Sequence, residues 1–241
     1  ALNERRNKGV DAFKHSEPAI CEQVFKRYTE DLIAGKRTCC ATVIDELLSA
    51  GVAIKTIYQD LIQRSLYEVG DRWERNRITV ANEHLATAVT EGLMNRIYAH
   101  IAPPPANGRK VVIASVENEL HQVGGKMVAD TFEMHGWDSD YLGADVPTTD
   151  LAHYIDGTRP DMLGLSLSVY KHMAVLKTML DRLTRRFPKL PIIIGGQAFR
   201  HGGRELTRSY AGVRWIASLD ELEEFLQQKT PRSAGTGPET A

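Results

Sequence analysis

From Lys110 onward the chain alternates short apolar runs with helical stretches, a pattern that few folds accept. The runs "KVVIASV" (110–116), "SDYLG" (139–143), "DMLGLSLS" (161–168), "PIIIGG" (191–196) and "VRWIAS" (213–218) read as strands. Helices are expected over 124–136, closed by Gly136; over 148–157, with Thr148 or Thr149 as N-cap; over 171–187, stopped by Pro188; and over 202–212 and 220–228. Strands this apolar, each followed by a helix, require a parallel sheet covered on both faces. The expectation is a flavodoxin/Rossmann-like α/β domain with a five-stranded sheet over residues 111–228. Open parallel sheets bind ligands in the crevice outside the carboxyl ends of their strands.

The first hundred residues carry helical periodicity and almost no strand signal. Helices are expected over 17–35, 37–51, 53–73 and 78–101, joined by short loops, which predicts an antiparallel four-helix bundle within residues 1–101. The segment "IAPPPANGRK" holds three consecutive prolines, so residues 102–110 are expected to be an extended linker. The tail 229–241, rich in Gly, Pro, Ser and Thr, is expected to be disordered.

A net charge of −1 gives no general attraction to nucleic acid or to an anionic membrane. Three cysteines make no disulfide framework, and adjacent Cys39 and Cys40 read as partly buried small residues near a helix start. With no apolar leader and no window long enough to span a bilayer, a soluble, cytoplasmic chain is expected. Trp137 and Trp215 are read as core.

The stretch "ENELHQVGGKMVAD" (117–130) follows the first strand directly. It puts His121 where the sheet rule puts a site. An imidazole that ligates a metal through one nitrogen needs an acceptor on the other, and Glu119 stands two residues away to supply it. Gly124 and Gly125 let a large group approach the backbone. Taken alone, such a histidine is more often a cap or a neighbour contact. Ser166 and Ser168 at the end of the third strand, with Gly195 and Gly196 ending the fourth, add a slot between strand ends. The first strand is followed by no dinucleotide or phosphate-loop signature, and "GLSLS" lacks the second glycine of a hydrolase nucleophile elbow. Scattered histidines without a Cys-x-x-Cys make zinc a weak idea.

Glu119, His121 and Gly124 as "ExHxxG", followed by Ser166 and then Gly195-Gly196, resemble the cobalamin-binding domain of methionine synthases, corrinoid carriers and cobalamin photoreceptors. The resemblance implies that the corrin lies on the carboxyl end of the sheet. It makes His121 the lower cobalt ligand in place of the cofactor's own dimethylbenzimidazole. The nucleotide tail would insert beside the serines and glycines. Many members begin the motif with Asp, and Glu119 departs conservatively. Tyr170, Lys171 and His172 either touch that tail or serve the start of the next helix.

The stretch "VGDRWERNRITVANEHLAT" (69–87) resembles the cap over the upper corrin face in light-sensing cobalamin-dependent repressors of carotenoid genes. The resemblance assigns Trp73, Val80, Glu83 and His84 to that cap; read alone, Trp73 and Val80 would be bundle core and Glu83–His84 a polar pair. Val80, Glu83 and His84 share a helix face at i, i+3 and i+4. Two departures matter. Glu74 stands where those repressors have the histidine that captures cobalt after light removes the upper group. A short charged lead stands where they have a winged-helix domain, so direct nucleic-acid binding is not expected.

"MVADTFEMHGWDSDYLGADVP" (127–147) also resembles stand-alone cobalamin regulators that act on a partner protein. The expectation is therefore a non-enzymatic, cobalamin-binding light sensor that signals to a regulatory protein partner or through a homo-oligomer, with no membrane role. Adenosylcobalamin is the favoured cofactor, with methylcobalamin or hydroxocobalamin as alternatives and room for a second chromophore such as a bilin. Two competing readings are a corrinoid methyl carrier for a methyltransferase and a flavodoxin-like domain without a corrin.

Overall fold

The computed structural model describes residues 20–229. The charged lead and all of the expected disordered tail beyond residue 229 lie outside the described residues. The chain forms two compact units, the first ending at Leu93 and the second beginning at Met94.

The first unit comprises α1 (Glu22–Ile33), α2 (Arg37–Ser49), α3 (Ile54–Thr56), a π-helical segment (Ile57–Gln63), α4 (Arg64–Glu74) and most of α5 (Val80–Tyr98). The first expected helix begins later than residue 17, at Glu22. It buries Phe25, Tyr28, Thr29 and Leu32, the i, i+3, i+4, i+7 stripe of a helix packed on one side. Gly35 ends it at φ +68°, with the Lys36 N–H returning to the Asp31 carbonyl at 2.9 Å. A Cβ there would also press on the movable end of Leu85, Cδ2 at 2.6 Å, so it is the left-handed conformation that calls for glycine.

The third expected helix is continuous but not uniformly α. Its π segment buries Ile57, Tyr58, Leu61 and Ile62, pairs of neighbours that the wider turn holds on one side. Just beyond it, the Ser65 and Thr29 hydroxyls share a buried hydrogen bond of 3.1 Å. Before α5, Thr79 and Asn82 bond reciprocally, with Asn82 Oδ1 accepting the Thr79 N–H at 3.1 Å and Thr79 Oγ1 accepting the Asn82 N–H at 3.3 Å. Cys40 is buried and Cys39 exposed, because successive helical residues point about 100° apart.

The second unit holds a five-stranded, all-parallel sheet in the order β2-β1-β3-β4-β5. The strands are β1 (Lys110–Ser115), β2 (Asp138–Tyr141), β3 (Met162–Ser166), β4 (Ile192–Gly195) and β5 (Val213–Trp215). This is the flavodoxin-like order, with β1 and β3 flanking the switch point. One face packs Val112, Ala114, Leu163, Leu165, Ile192 and Ile194 against α7 (Thr148–Thr158) and α8 (Met173–Arg186). Each fully buried Val, Leu or Ile side chain there contributes on the order of 1.5–3 kcal/mol. Among the described residues, α6 (Val123–Glu133) and α9 (Leu219–Lys229) complete the α-helices. Trp137 is buried edge-on to Phe132, and Trp215 packs partly buried against the core.

Two local expectations are corrected. Residues 202–212 do not form an α-helix: Gly202 and Gly203 take φ of +131° and +91°, and only a 3-10 stretch, Arg204–Ser209, follows. Neither Thr148 nor Thr149 caps α7. Pro147 holds the N-cap position with φ −58°, which puts Thr148 inside the helix. The cap comes instead from the loop after β1, where Glu117 Oε2 accepts the Thr148 N–H at 3.1 Å and its hydroxyl at 2.6 Å.

The proline segment packs against the turn between α6 and β2. The Asn107 N–H donates to Gly136 O at 2.8 Å, and the Asn107 amide to His135 O at 3.1 Å. Among the described residues no helix is long and apolar enough to cross a membrane.

Candidate functional site

The register of the sheet sets Ser115, Ser166 and Gly195 abreast at the carboxyl ends of β1, β3 and β4. Every site residue expected in the second unit gathers on this line, in the loops leaving it or, for Gly124, in the first turn of α6. β1 delivers the loop that carries Glu119 and His121. Asn118 turns the loop at φ +67°, a left-handed conformation that Asn tolerates well, and its N–H donates to Asp145 Oδ1 at 2.8 Å. The Asp145 N–H returns to the Glu119 carbonyl at 3.0 Å. Ser115, fully buried, donates its hydroxyl to the His121 carbonyl at 3.1 Å.

Glu119 is fully buried and forms the hub of the site. Its Oε1 lies 2.5 Å from His121 Nδ1 and accepts the His121 N–H at 3.1 Å. Its Oε2 accepts the N–H groups of Ser168 and Val169 at 3.0 and 2.8 Å. Burial works to raise the carboxyl pKa. The hydrogen bond to the His121 ring, the Val169 and His121 N–H groups and the nearby imidazole charge overcome it and hold Glu119 at about 2. An ionised carboxylate can only accept, so His121 Nδ1 carries the hydrogen, and Nε2 is the nitrogen through which this ring would ligate a metal. The His121 side chain is 50% exposed, while its partner is inaccessible.

The glycines divide by role. A Cβ on Gly124 would meet nothing closer than Ser166 Oγ at 3.6 Å, so the space beside this residue is open toward the serine. A Cβ on Gly125 would lie 3.1 Å from Tyr141 Cε2 and 3.5 Å from Ser166 Cβ, so this glycine lets α6 sit close to β2 and β3. Tyr141 itself donates to Gln122 O at 2.5 Å and fixes the start of α6. Gly196, at φ +115°, lies so close to the Leu167 carbonyl that no side chain fits.

Ser168 lies beyond β3, and its contact with Glu119 is made by its backbone N–H. Ser115 and Tyr141 escaped the sequence reading. Ser115 is the last residue of an apolar run and Tyr141 sits in a short strand, so neither carries a local signal of its contact. The sequence makes His172 a tail contact or a helix start. It does precede α8 at the N-cap position, and its Nδ1 lies 3.5 Å from Glu119 Oε2.

In the first unit, Trp73 near the end of α4 is 45% exposed, and Val80 at the start of α5 is 50% exposed. Neither belongs to the bundle core, which is the alternative the sequence left open. Glu83 Oε2 lies 2.9 Å from His84 Nδ1, and Glu83 also accepts the Thr87 hydroxyl at 3.1 Å. Glu74, in the last turn of α4, is exposed.

These residues suit a corrinoid. A half-exposed imidazole is oriented by a buried carboxylate, and the strand ends beside it are lined by a serine and by glycines.

Comparison with known proteins agrees. Residues 109–223 match the family described as B12 binding domain, and residues 24–98 match a second family of the same description. The HTH-type transcriptional repressor CarH of Myxococcus xanthus is 32% identical over 160 residues, 66% of this chain and 52% of that protein. The dimethylamine corrinoid protein of Methanosarcina barkeri is 22% identical over 181 residues, 73% of this chain and 84% of that protein. The solved monomethylamine corrinoid protein of Methanosarcina barkeri shares the fold, with a TM-score of 0.72 at 15% identity over 86% of this chain and 98% of its own. The chain spans about half the length of the repressor it matches.

Proposed function

Because this chain belongs to the B12 binding domain proteins, we propose that it is a light-responsive cobalamin regulator that signals through a protein partner or its own assembly. The observation that carries this reading is the Glu119–His121 pair at the carboxyl end of the sheet, in a chain 32% identical to a transcriptional repressor over 160 residues. His121 would hold cobalt through Nε2, with Glu119 fixing the tautomer and the plane of the ring. Gly124, Ser166, Ser168, Gly195 and Gly196 would accommodate the nucleotide tail. When bound, the cobalamin supplies a metal–carbon bond that light can break, and adenosylcobalamin is the form proposed. Trp73, Val80, Glu83 and His84 are the first-unit residues assigned to the upper ligand, and the exposure of Trp73 and Val80 supports that assignment. Glu74 is a carboxylate, so the lit state would differ from one capped by a second histidine. The role is binding and signalling rather than catalysis.

The test is the absorption spectrum of the protein loaded with adenosylcobalamin, in darkness and after green light, with its size followed by chromatography. Illumination is expected to shift the spectrum and to change oligomeric state or partner affinity. His121→Ala should weaken binding or alter the bound spectrum. A loaded protein whose size and partner binding ignore light would remove the sensor reading.

A second reading is favoured by the corrinoid-protein match, which covers 84% of that relative. Under it, the chain carries a methyl group between partners. Methyl transfer to or from the loaded protein by an added corrinoid methyltransferase would establish it.

A further inference from the structure

A trough opens between α7 and α8 on the surface of the second unit. Its two halves are cavities of about 300 and 320 Å³ that share Thr148 and Arg182. One half runs over Ala152 and Leu183 and is rimmed by Arg182, Arg185 and Arg186. The other reaches Glu117 and Asn118, the first residues of the loop that carries His121. Ala152 and Leu183 are buried members of the core, so the floor beneath the arginines is apolar.

A solvated helix end does not account for these cations. Arg185 and Arg186 stand in the last turn of α8 and suit its dipole, but Arg182 lies before that turn. Two other cations of α8 are matched: Lys177 lies 3.2 Å from Asp181, and Arg186 pairs with Asp156. Among the described residues, no carboxylate lies within ion-pair distance of Arg182 or Arg185. Glu117, the one acid lining the trough among the described residues, commits its Oε2 to Thr148. Arg182 and Arg185 are both exposed and share a helix face at i, i+3. The whole chain carries a net charge of −1, so this concentration of positive charge is local. Two guanidiniums beside an apolar floor complement a ligand that brings carboxylates and an aliphatic side chain together.

We propose that the trough between α7 and α8 docks an acidic segment of a protein partner, its carboxylates pairing with Arg182 and Arg185 and an apolar side chain lying over Ala152 and Leu183. The preference for an acidic segment stands on these residues alone; its use in signalling rests on the function proposed above. Because Glu117 and Asn118 line one end, a docked segment touches the loop that positions Glu119 and His121. A change at that loop therefore alters partner affinity, and the partner acts back on the loop to the same extent.

The experiment uses the whole chain and a short fluorescein-labelled peptide in which glutamates flank leucines, beside its glutamine analogue. Fluorescence anisotropy should show the acidic peptide binding about tenfold tighter than the analogue, with an affinity that falls as salt rises. Arg182→Gln and Arg185→Gln should each lose about threefold, and the double variant about tenfold. Lys177→Gln removes the same charge from α8 outside the trough and should leave the affinity unchanged. An equal loss in Lys177→Gln, or equal binding of the glutamine analogue, overturns the proposal. So does duplex DNA that displaces the peptide, or an oligomer in sedimentation that the double arginine variant dissolves, since the occupant is then nucleic acid or a second copy of this chain. Loaded with adenosylcobalamin, the protein should bind the peptide with different affinity in darkness and after green light. A spectrum that shifts while peptide affinity stays constant removes the trough from signalling. A spectrum indifferent to light removes the sensor reading instead, and the dark titration still decides what the trough binds.

Discussion

Ser115 and His121 are six residues apart, yet the serine hydroxyl clamps the histidine's own carbonyl at 3.1 Å. The last side chain of β1 thus holds down the backbone of the loop that leaves it. Ser115 is fully buried, so Ser115→Ala removes the hydroxyl donor from that carbonyl. The expected loss is about 1–2 kcal/mol, read as a lower urea midpoint at unchanged slope. Cobalamin should also leave the variant faster, because His121 loses a restraint on its position.

Glu119→Gln tests the hub differently. The amide keeps one oxygen, but its NH2 group must face either the His121 ring or the N–H groups of Ser168 and Val169. Either choice opposes donor to donor. Cobalamin affinity should fall about 10–100-fold, the usual effect of removing the partner that orients a metal-bound imidazole. Titration by absorbance measures it, and an affinity equal to wild type would contradict the geometry described.

Gly124 and Gly125 separate two requirements that one motif hides. Gly124→Ala places a methyl at an ordinary 3.6 Å from Ser166 Oγ, so the fold should be unharmed or gain up to about 0.5 kcal/mol from the helix preference of Ala. Its cost should appear only in cobalamin binding, as the methyl enters the space assigned to the tail. Gly125→Ala pushes on Tyr141 at 3.1 Å and should lower the melting temperature with or without cofactor. Thermal unfolding of both variants, loaded and unloaded, makes the comparison.

The cap on α7 gives a dependence on pH. The hydroxyl and N–H of Thr148 hold Glu117 below the usual carboxylate pKa; burial opposes them, and Arg182 adds to the lowering. A group whose folded pKa is depressed contributes stability that is present above its unfolded value and disappears as pH falls through the folded one. The wild type should therefore lose stability on acidification below about pH 4.5 more steeply than Glu117→Gln, with the two curves converging at the acid end. Urea midpoints taken between neutral pH and pH 3 provide the check.

How far these features could be read without coordinates depends on their range along the chain. The five strands, the bundle helices and the Glu119–His121 contact are local signals, written in apolar runs, glycine stops and a two-residue spacing. The contacts that crossed between elements were not legible. Glu117 capping α7, Ser115 clamping His121 and Ser168 acting through its backbone depend on register and loop paths, which a pattern of residue types does not encode. The expected helix at 202–212 shows the opposite failure, where amphipathic spacing was present but two glycines at positive φ prevented an α-helix. The π segment left no sign, because Ile57, Tyr58, Leu61 and Ile62 also satisfy a helical period.

Trp73 offers a test in which stability and function should come apart. An indole 45% exposed near a helix end has limited packing to lose, so Trp73→Ala should cost about 1 kcal/mol or less in unfolding free energy. A core tryptophan would cost about 3–5 kcal/mol on the same change. If the side chain shields the upper ligand, the loaded variant should instead show an altered photolysis rate under green light and a weaker preference for adenosylcobalamin over hydroxocobalamin. Photolysis followed by absorbance, beside chemical unfolding of the same sample, measures both quantities. A variant that loses several kcal/mol would return Trp73 to the bundle core. One that matches the wild type in stability, photolysis and ligand preference would remove it from the site.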